Sequence, residues 1–201
     1  MTESDSLFQI LSHPDFLAMK GLGNEVPIFI KTYAPRDEEK MKALISATAT
    51  RLENAGFPVA VLDLFELVLD IVTAEGRLEK VLEAEAGMNK QKMIEMLNAF
   101  ADPQSRLIPL MADYTGKPDI RLSLIMGVGR VYPFLRTHTL LESLQPAMMP
   151  HPVVMFFPGE YTHDETGASH LNLFAPDVDI SQQSRFSKPY YRAFNLDHYR
   201  I

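Results

Sequence analysis

No cysteine occurs in the 201 residues. That absence excludes disulfide scaffolds, cysteine nucleophiles, thiolate zinc sites and iron–sulfur clusters at once. No uninterrupted apolar stretch approaches the roughly 18–20 residues that a membrane span requires. The opening MTESDSLFQILSH is acidic and has no basic stretch ahead of its short apolar run, so it does not read as a signal peptide. Positive charge is also short. Nineteen Lys and Arg stand against 26 Asp and Glu, a formal net charge of −7, and the pI is near 5.3. This balance argues against broad binding to nucleic acid or anionic membrane. A soluble, cytoplasmic protein is the expectation.

What is present is enough apolar material for a core. Hydrophobic residues make up 46% of the chain, and a globule of this length buries roughly 70% of the surface its unfolded chain exposes. Val26 to Lys31 (VPIFIK), Pro58 to Leu64 (PVAVLDL), Arg121 to Met126 (RLSLIM) and Pro152 to Phe157 (PVVMFF) are short β-branched or apolar runs bounded by turn residues. Each predicts a buried strand. Helical spacing predicts helices over Glu3 to Leu11, Arg36 to Asn54, Gly76 to Ala86, Lys90 to Phe100 and, weakly, Gln104 to Tyr114. Another is expected from about Val131 to Leu144, with Pro133 in its first turn. Leu171 to Phe174 and Tyr191 to Leu196 read as edge strands. The expected architecture is one α/β domain over residues 1–201. Its sheet is mainly parallel, flanked by helices in a degenerate P-loop-like or Rossmann-like arrangement, with antiparallel edge strands near the C-terminus.

In such a sheet, ligands bind outside the carboxyl ends of the strands. Those ends would carry Lys31-Thr32-Tyr33, Asp63, Gly127-Val128-Gly129-Arg130 and Pro158-Gly159-Glu160-Tyr161. The bland reading is that short strand–helix turns need Asp and Gly for capping and positive φ anyway. Gly127-Val128-Gly129 stands where a dinucleotide fingerprint would. Position 132, however, is Tyr rather than the third glycine, and the expected downstream carboxylate is missing. The loop after the first strand, KTYAPRDEEK, has no glycine with which to cradle a triphosphate. A phosphate resting on a helix that starts after Gly129, helped by Arg130, is the residual nucleotide reading.

Other motifs are incomplete. His151, His163 and His170 fall near Asp164 and Glu165, but without tight metal-ligand spacing, and the segment reads first as a polar turn. His138 falls on the apolar face of its helix. There is no G-x-S-x-G elbow. Asp63 and Glu66 flank a strand end and Glu160 follows the last core strand; helix capping and first-turn roles suffice to explain the first two. Lys188-Pro189-Tyr190-Tyr191-Arg192-Ala193-Phe194 mixes basic and aromatic residues, which can stack nucleobases but more often form an edge strand. Direct DNA binding through Arg185, Lys188 and Arg192 ranks last. Met148-Met149 would suit an adaptable protein interface. No catalytic residue, cofactor site or metal site is assigned.

Several strings, taken in order, carry a resemblance. LIMGVGRVYPFLRTHTLLESLQ, HPVVMFFPGEY, LNLF and YYRAFNL resemble the BrxB family, a small component of BREX bacteriophage-defence systems. The likeness is clearest from Arg121 to Leu196, and the Val26 to Leu64 opening fits it too. The shared strings fall on Gly127, Gly129, Arg130, Tyr132, Pro133 and Phe134, on Pro158, Gly159 and Tyr161, and on Tyr190, Tyr191 and Arg192. The family offers no catalytic motif to carry over, so with Asp63 these are read as fold or interface positions. The resemblance implies a cytoplasmic, non-enzymatic protein acting among other BREX proteins: an adenine methyltransferase, a large AAA-type ATPase and PglZ, an alkaline-phosphatase-like protein. PglZ is the partner expected first. The alternative is a degenerate nucleotide-binding domain or enzyme with its site at the carboxyl end of the sheet.

Overall fold

The computed structural model describes residues 2–20, 26–144, 150–163, 169–174 and 193–199. The apolar runs become strands because each buries side chains on both faces, which is why they read as nearly continuous rather than alternating. β1 (Ile28–Tyr33), β2 (Val59–Asp63), β3 (Leu122–Met126) and β4 (Val153–His163) are joined in parallel in the order β2-β3-β4-β1. The chain leaves β1 through α3 (Glu38–Asn54) and crosses over to the far edge at β2. It returns through α4 (Leu64–Ala74) and the helices that follow. This order differs from the dinucleotide-binding one, in which the first two strands are neighbours.

The period of two along each strand sorts the core into two layers. Phe29, Leu122, Leu124, Met126, Val154 and Phe156 pack with Met41, Ile45, Ala49 and Leu52 of α3 and with Leu7 and Leu11 of α1 (Glu3–Leu11). Ile28, Ile30, Leu62, Ile125, Val153, Met155 and Phe157 face the opposite layer. There they meet α4, Phe100 of α6 (Lys90–Phe100), Met111 of α7 (Ile108–Thr115) and three leucines of α8 (Thr137–Leu144). α5 (Leu78–Glu85) lies outside this layer and has no fully buried residue. α2 (Pro14–Leu17) is a short turn started by the His13 cap, and the sequence pattern alone does not announce it. No helix among the described residues is long and apolar enough to cross a membrane.

Three expectations change. β4 does not stop at Pro158-Gly159. It runs on to His163 and pairs antiparallel with β5 (Ser169–Leu173), with Gly159 opposite Leu173 and His163 opposite Ser169. Pro158 is tolerated because β1 ends opposite it at Tyr33, and only its carbonyl is needed, as acceptor for the Phe174 N–H at 2.9 Å. The C-terminal strand β6 (Phe194–Asn195) pairs parallel with β1, not antiparallel, so β5 alone among the described strands carries the antiparallel pairing. Finally, Val131 to Leu135 is not helical, and α8 starts only at Thr137. Pro133 lacks an N–H and disfavours helical backbone at Tyr132, so the chain turns here instead.

At the opposite, amino end of the sheet, His151 is buried and its Nε2 lies 2.7 Å from the Ser123 hydroxyl of β3. Among the described residues its Nδ1 has no hydrogen-bond partner. Burial lowers the ring's pKa below the ordinary 6.5, so the fold carries a neutral imidazole. The unfolded chain therefore binds more protons below about pH 6.5, and stability is lost as pH falls through that value. Melting temperature is expected to drop between about pH 7.5 and about pH 5, with His151→Asn removing part of that slope. An unchanged slope in the variant would assign the effect elsewhere.

Candidate functional site at the carboxyl edge

The parallel strands bring three of the expected segments to one edge, and a cleft of about 230 Å³ opens there. It is lined by Tyr33 from the end of β1, Asp63 from the end of β2, Met126 from the end of β3 and Arg130 after it, and the first turns of α3 with Glu38, Glu39 and Lys42. The connection from β2 to α4 has no spare residue, so Asp63 ends the strand and caps the helix. Its Oδ1 accepts the Phe65 and Glu66 N–H groups at 3.0 and 3.4 Å.

The other Asp63 oxygen accepts from Arg130 Nη1 at 2.7 Å, and Arg130 Nη2 donates to Glu66 Oε1 at 3.0 Å. The same guanidinium lies 4.6 Å from the centre of the Phe65 ring. Arg130 therefore clamps two carboxylates against an aromatic face. Gly127 makes the clamp possible. Its φ is +80°, and a Cβ there would sit 2.6 Å from Asp63 Oδ1.

Across the cleft the Tyr33 hydroxyl donates to Glu38 Oε2 at 2.5 Å. Burial first, and the Glu38 carboxylate second, push the phenol far above its ordinary pKa, so it remains a donor at all working pH values. The N-terminal turn of α3 thus presents Glu38 and Glu39 where a phosphate-binding helix would present bare N–H groups. The turn after Gly129 opens no helix, so the phosphate reading of Gly127 to Arg130 loses its helix N-terminus.

The second half of the edge is aromatic. Gly129 lies where a Cβ would come within 3.1 Å of both Phe174 and Pro158. Tyr132 meets Phe174 edge to face at 6.0 Å between ring centres. Tyr161 packs against the α4-side core, and its hydroxyl donates to the Ala193 carbonyl, joining β4 to the segment that enters β6. Pro158 and Gly159 turn out to be ribbon positions, and Phe134 is core. Tyr190, Tyr191, Arg192, Met148, Met149, Asp164, Glu165, Arg185 and Lys188 lie outside the described residues. His151 lies two residues before β4 and His163 ends it, so the length of the strand, roughly 33 Å at the usual rise per residue, separates them. His138 is half-buried on α8. Among the described residues no group of three His, Asp or Glu side chains could hold a metal ion.

The sequence reading missed Tyr33–Glu38 and Phe174. The first was signalled only by a tyrosine and a glutamate five residues apart across a strand–helix turn. The second carried no local signal. Arg130→Ala is expected to cost about 2 kcal/mol, because the Asp63 side chain is only 9% exposed and loses its charged donor. Glu66→Ala, at a carboxylate more than half exposed, should cost under about 1 kcal/mol. Urea denaturation of the two variants separates the contributions.

A family model described as "BREX protein BrxB" matches residues 60–196. A BREX protein BrxB of Bacillus cereus (strain H3081.97) is 31% identical over 199 residues, covering 96% of this chain and 94% of that protein. A BREX protein BrxB of Escherichia coli O9:H4 (strain HS) is 28% identical over 183 residues, covering 90% of this chain and 83% of that protein. No solved structure matches the chain significantly.

Proposed function

This chain belongs to the BrxB family of BREX proteins, and from that membership we propose that it is a non-enzymatic assembly or regulatory component of a phage-defence system. It works in the cytoplasm by binding another BREX protein, PglZ first among them, and the carboxyl edge of its sheet is the docking face. One observation carries the reading. The place where an α/β protein usually admits a small ligand is bordered by side chains already paired with one another, Arg130 with Asp63 and Glu66, and Tyr33 with Glu38. A site whose Arg130 and Tyr33 donors are already engaged is better suited to a surface than to a substrate. The net charge of −7 also favours a protein partner over DNA.

The test is pairwise co-expression of the chain with each BREX component, followed by co-purification at micromolar concentration. Retention of PglZ supports the reading as stated. Retention of a different component keeps the docking role and changes the partner, and retention of none removes it.

The cleft of about 230 Å³ favours one second reading, a degenerate nucleotide-binding domain. Glu38 and Glu39 count against it, since they would repel a phosphate entering the α3 turn. Thermal-shift measurement against nucleotides and divalent cations decides. A ligand at 100 times its Kd stabilises by about 2.7 kcal/mol, or roughly 5–10 °C for a chain of this size.

A further inference from the structure

Tyr132 and Phe174 are 51% and 40% exposed, yet their rings are in contact with each other rather than scattered over the surface. Val61 and Leu82, also exposed, sit elsewhere, on β2 and α5. Phe174 holds this position with φ at +62°, a conformation that bulky side chains rarely adopt. Its N–H bond to Pro158 keeps it there.

The aromatic pair adjoins the acidic cleft through neighbouring residues of the chain and of the sheet. Gly129 touches Phe174, and the next residue, Arg130, lines the cleft. Pro158 lies opposite Tyr33, which donates to Glu38. Around this continuous edge stand Glu38, Glu39, Asp63 and Glu66 against Lys42 and Arg130. Arg130 is used up by Asp63 and Glu66, and among the described residues Glu38 and Glu39 have no ion-pair partner.

We propose that this edge receives an arginine-bearing segment of the partner protein, its guanidinium over the Tyr132–Phe174 rings and paired with Glu38 and Glu39. The proposal rests on the docking reading above and specifies the chemistry of what docks. Charge complementarity selects the occupant: exposed rings attract a cation through their faces, and carboxylates without an ion-pair partner suit the planar fork of a guanidinium. The chain already builds a smaller version of this arrangement in Arg130, which lies over Phe65 and between Asp63 and Glu66. A buried arginine against aromatic residues is also the usual composition of an energetic centre in an interface.

The experiment titrates the purified chain and its variants against the BREX component retained in the co-purification above. Tyr132→Ala/Phe174→Gly removes the rings, glycine keeping the Phe174 backbone unstrained. Glu38→Gln/Glu39→Lys removes the acidic charge, and Leu82→Ser on α5 is the control. All three variants are first checked for a wild-type melting curve.

Each of the first two is expected to weaken binding at least about tenfold, and the control less than about twofold. Wild-type affinity should fall steeply with added salt. Unchanged affinity in both variants overturns the proposal and leaves the docking reading intact. Loss in the ring variant alone, with no salt dependence, also overturns it, because the occupant is then apolar. So does self-association of the wild-type chain that the ring variant abolishes. Retention of no component at all defeats the reading and the proposal together.

Discussion

Gly159→Ala is expected to destabilise the protein by about 3 kcal/mol, the upper end of what overpacking costs. A Cβ at this position would lie 2.1 Å from the Asn172 carbonyl oxygen and 2.8 Å from the Phe157 ring. The first neighbour is backbone and cannot rotate away. The β4–β5 ribbon must therefore part where Gly159 faces Leu173. At the size of this chain the melting temperature should drop by roughly 6–12 °C. Amides of Leu171 to Phe174 should exchange faster with solvent than those of β3, since the strain is local to the ribbon. Under the proposed docking role, the same variant should also lose partner binding, because Phe174 is anchored to this ribbon through Pro158. A melting temperature within about a degree of wild type would mean that β4 and β5 do not pair in this register.

Gly127→Ala should cost a similar amount, about 3 kcal/mol, for a different reason. Part of the cost is the backbone, since an alanine at φ +80° is strained by roughly 1–2 kcal/mol. The remainder is the 2.6 Å approach to Asp63 Oδ1, which pushes the carboxylate off both the α4 cap and Arg130. The two parts separate in a double-mutant cycle. Asp63→Gly removes the obstructing side chain while keeping a tolerated cap residue. The double variant Gly127→Ala/Asp63→Gly should therefore be less destabilised than the sum of the singles, by about 1–2 kcal/mol. Additivity within about 0.3 kcal/mol would place the whole cost in the backbone.

These two glycines show what was legible beforehand. Both were marked as positions of interest because glycine and proline after a strand signal a turn. Gly127 does sit in such a turn, with the positive φ that only glycine adopts at low cost. Gly159 sits instead in the middle of an eleven-residue strand, where another backbone comes too close for any side chain. A glycine just after an apolar run is the signal in both cases, and only the arrival of β5 tells them apart. Asp63 is the converse. A carboxylate between a buried strand and an apolar helix is read locally as a cap, and it is one. That it also holds Arg130, 67 positions away, has no local signature.

Local periodicity and turn chemistry were enough for the four central strands, the helices that pack on them, the parallel α/β class and the edge at which their ends meet. These follow from the chain alone because an apolar run or a helical stripe has only one low-energy way to bury itself. The absence of a glycine-rich phosphate loop was equally plain, since that loop needs particular residues in consecutive positions. Everything that gives the carboxyl edge its character came from the tertiary structure. The Arg130 clamp, the Tyr33–Glu38 bond and the exposed Tyr132–Phe174 rings, like the buried Ser123–His151 pair at the other end of the sheet, join separate segments brought together by the crossover from β1 to β2 and the extension of β4. Apart from Tyr33–Glu38, which spans a single turn, each depends on where distant backbones come to lie. Side-chain charge and shape set which contacts are favourable, but only packing decides which ones are close enough to form.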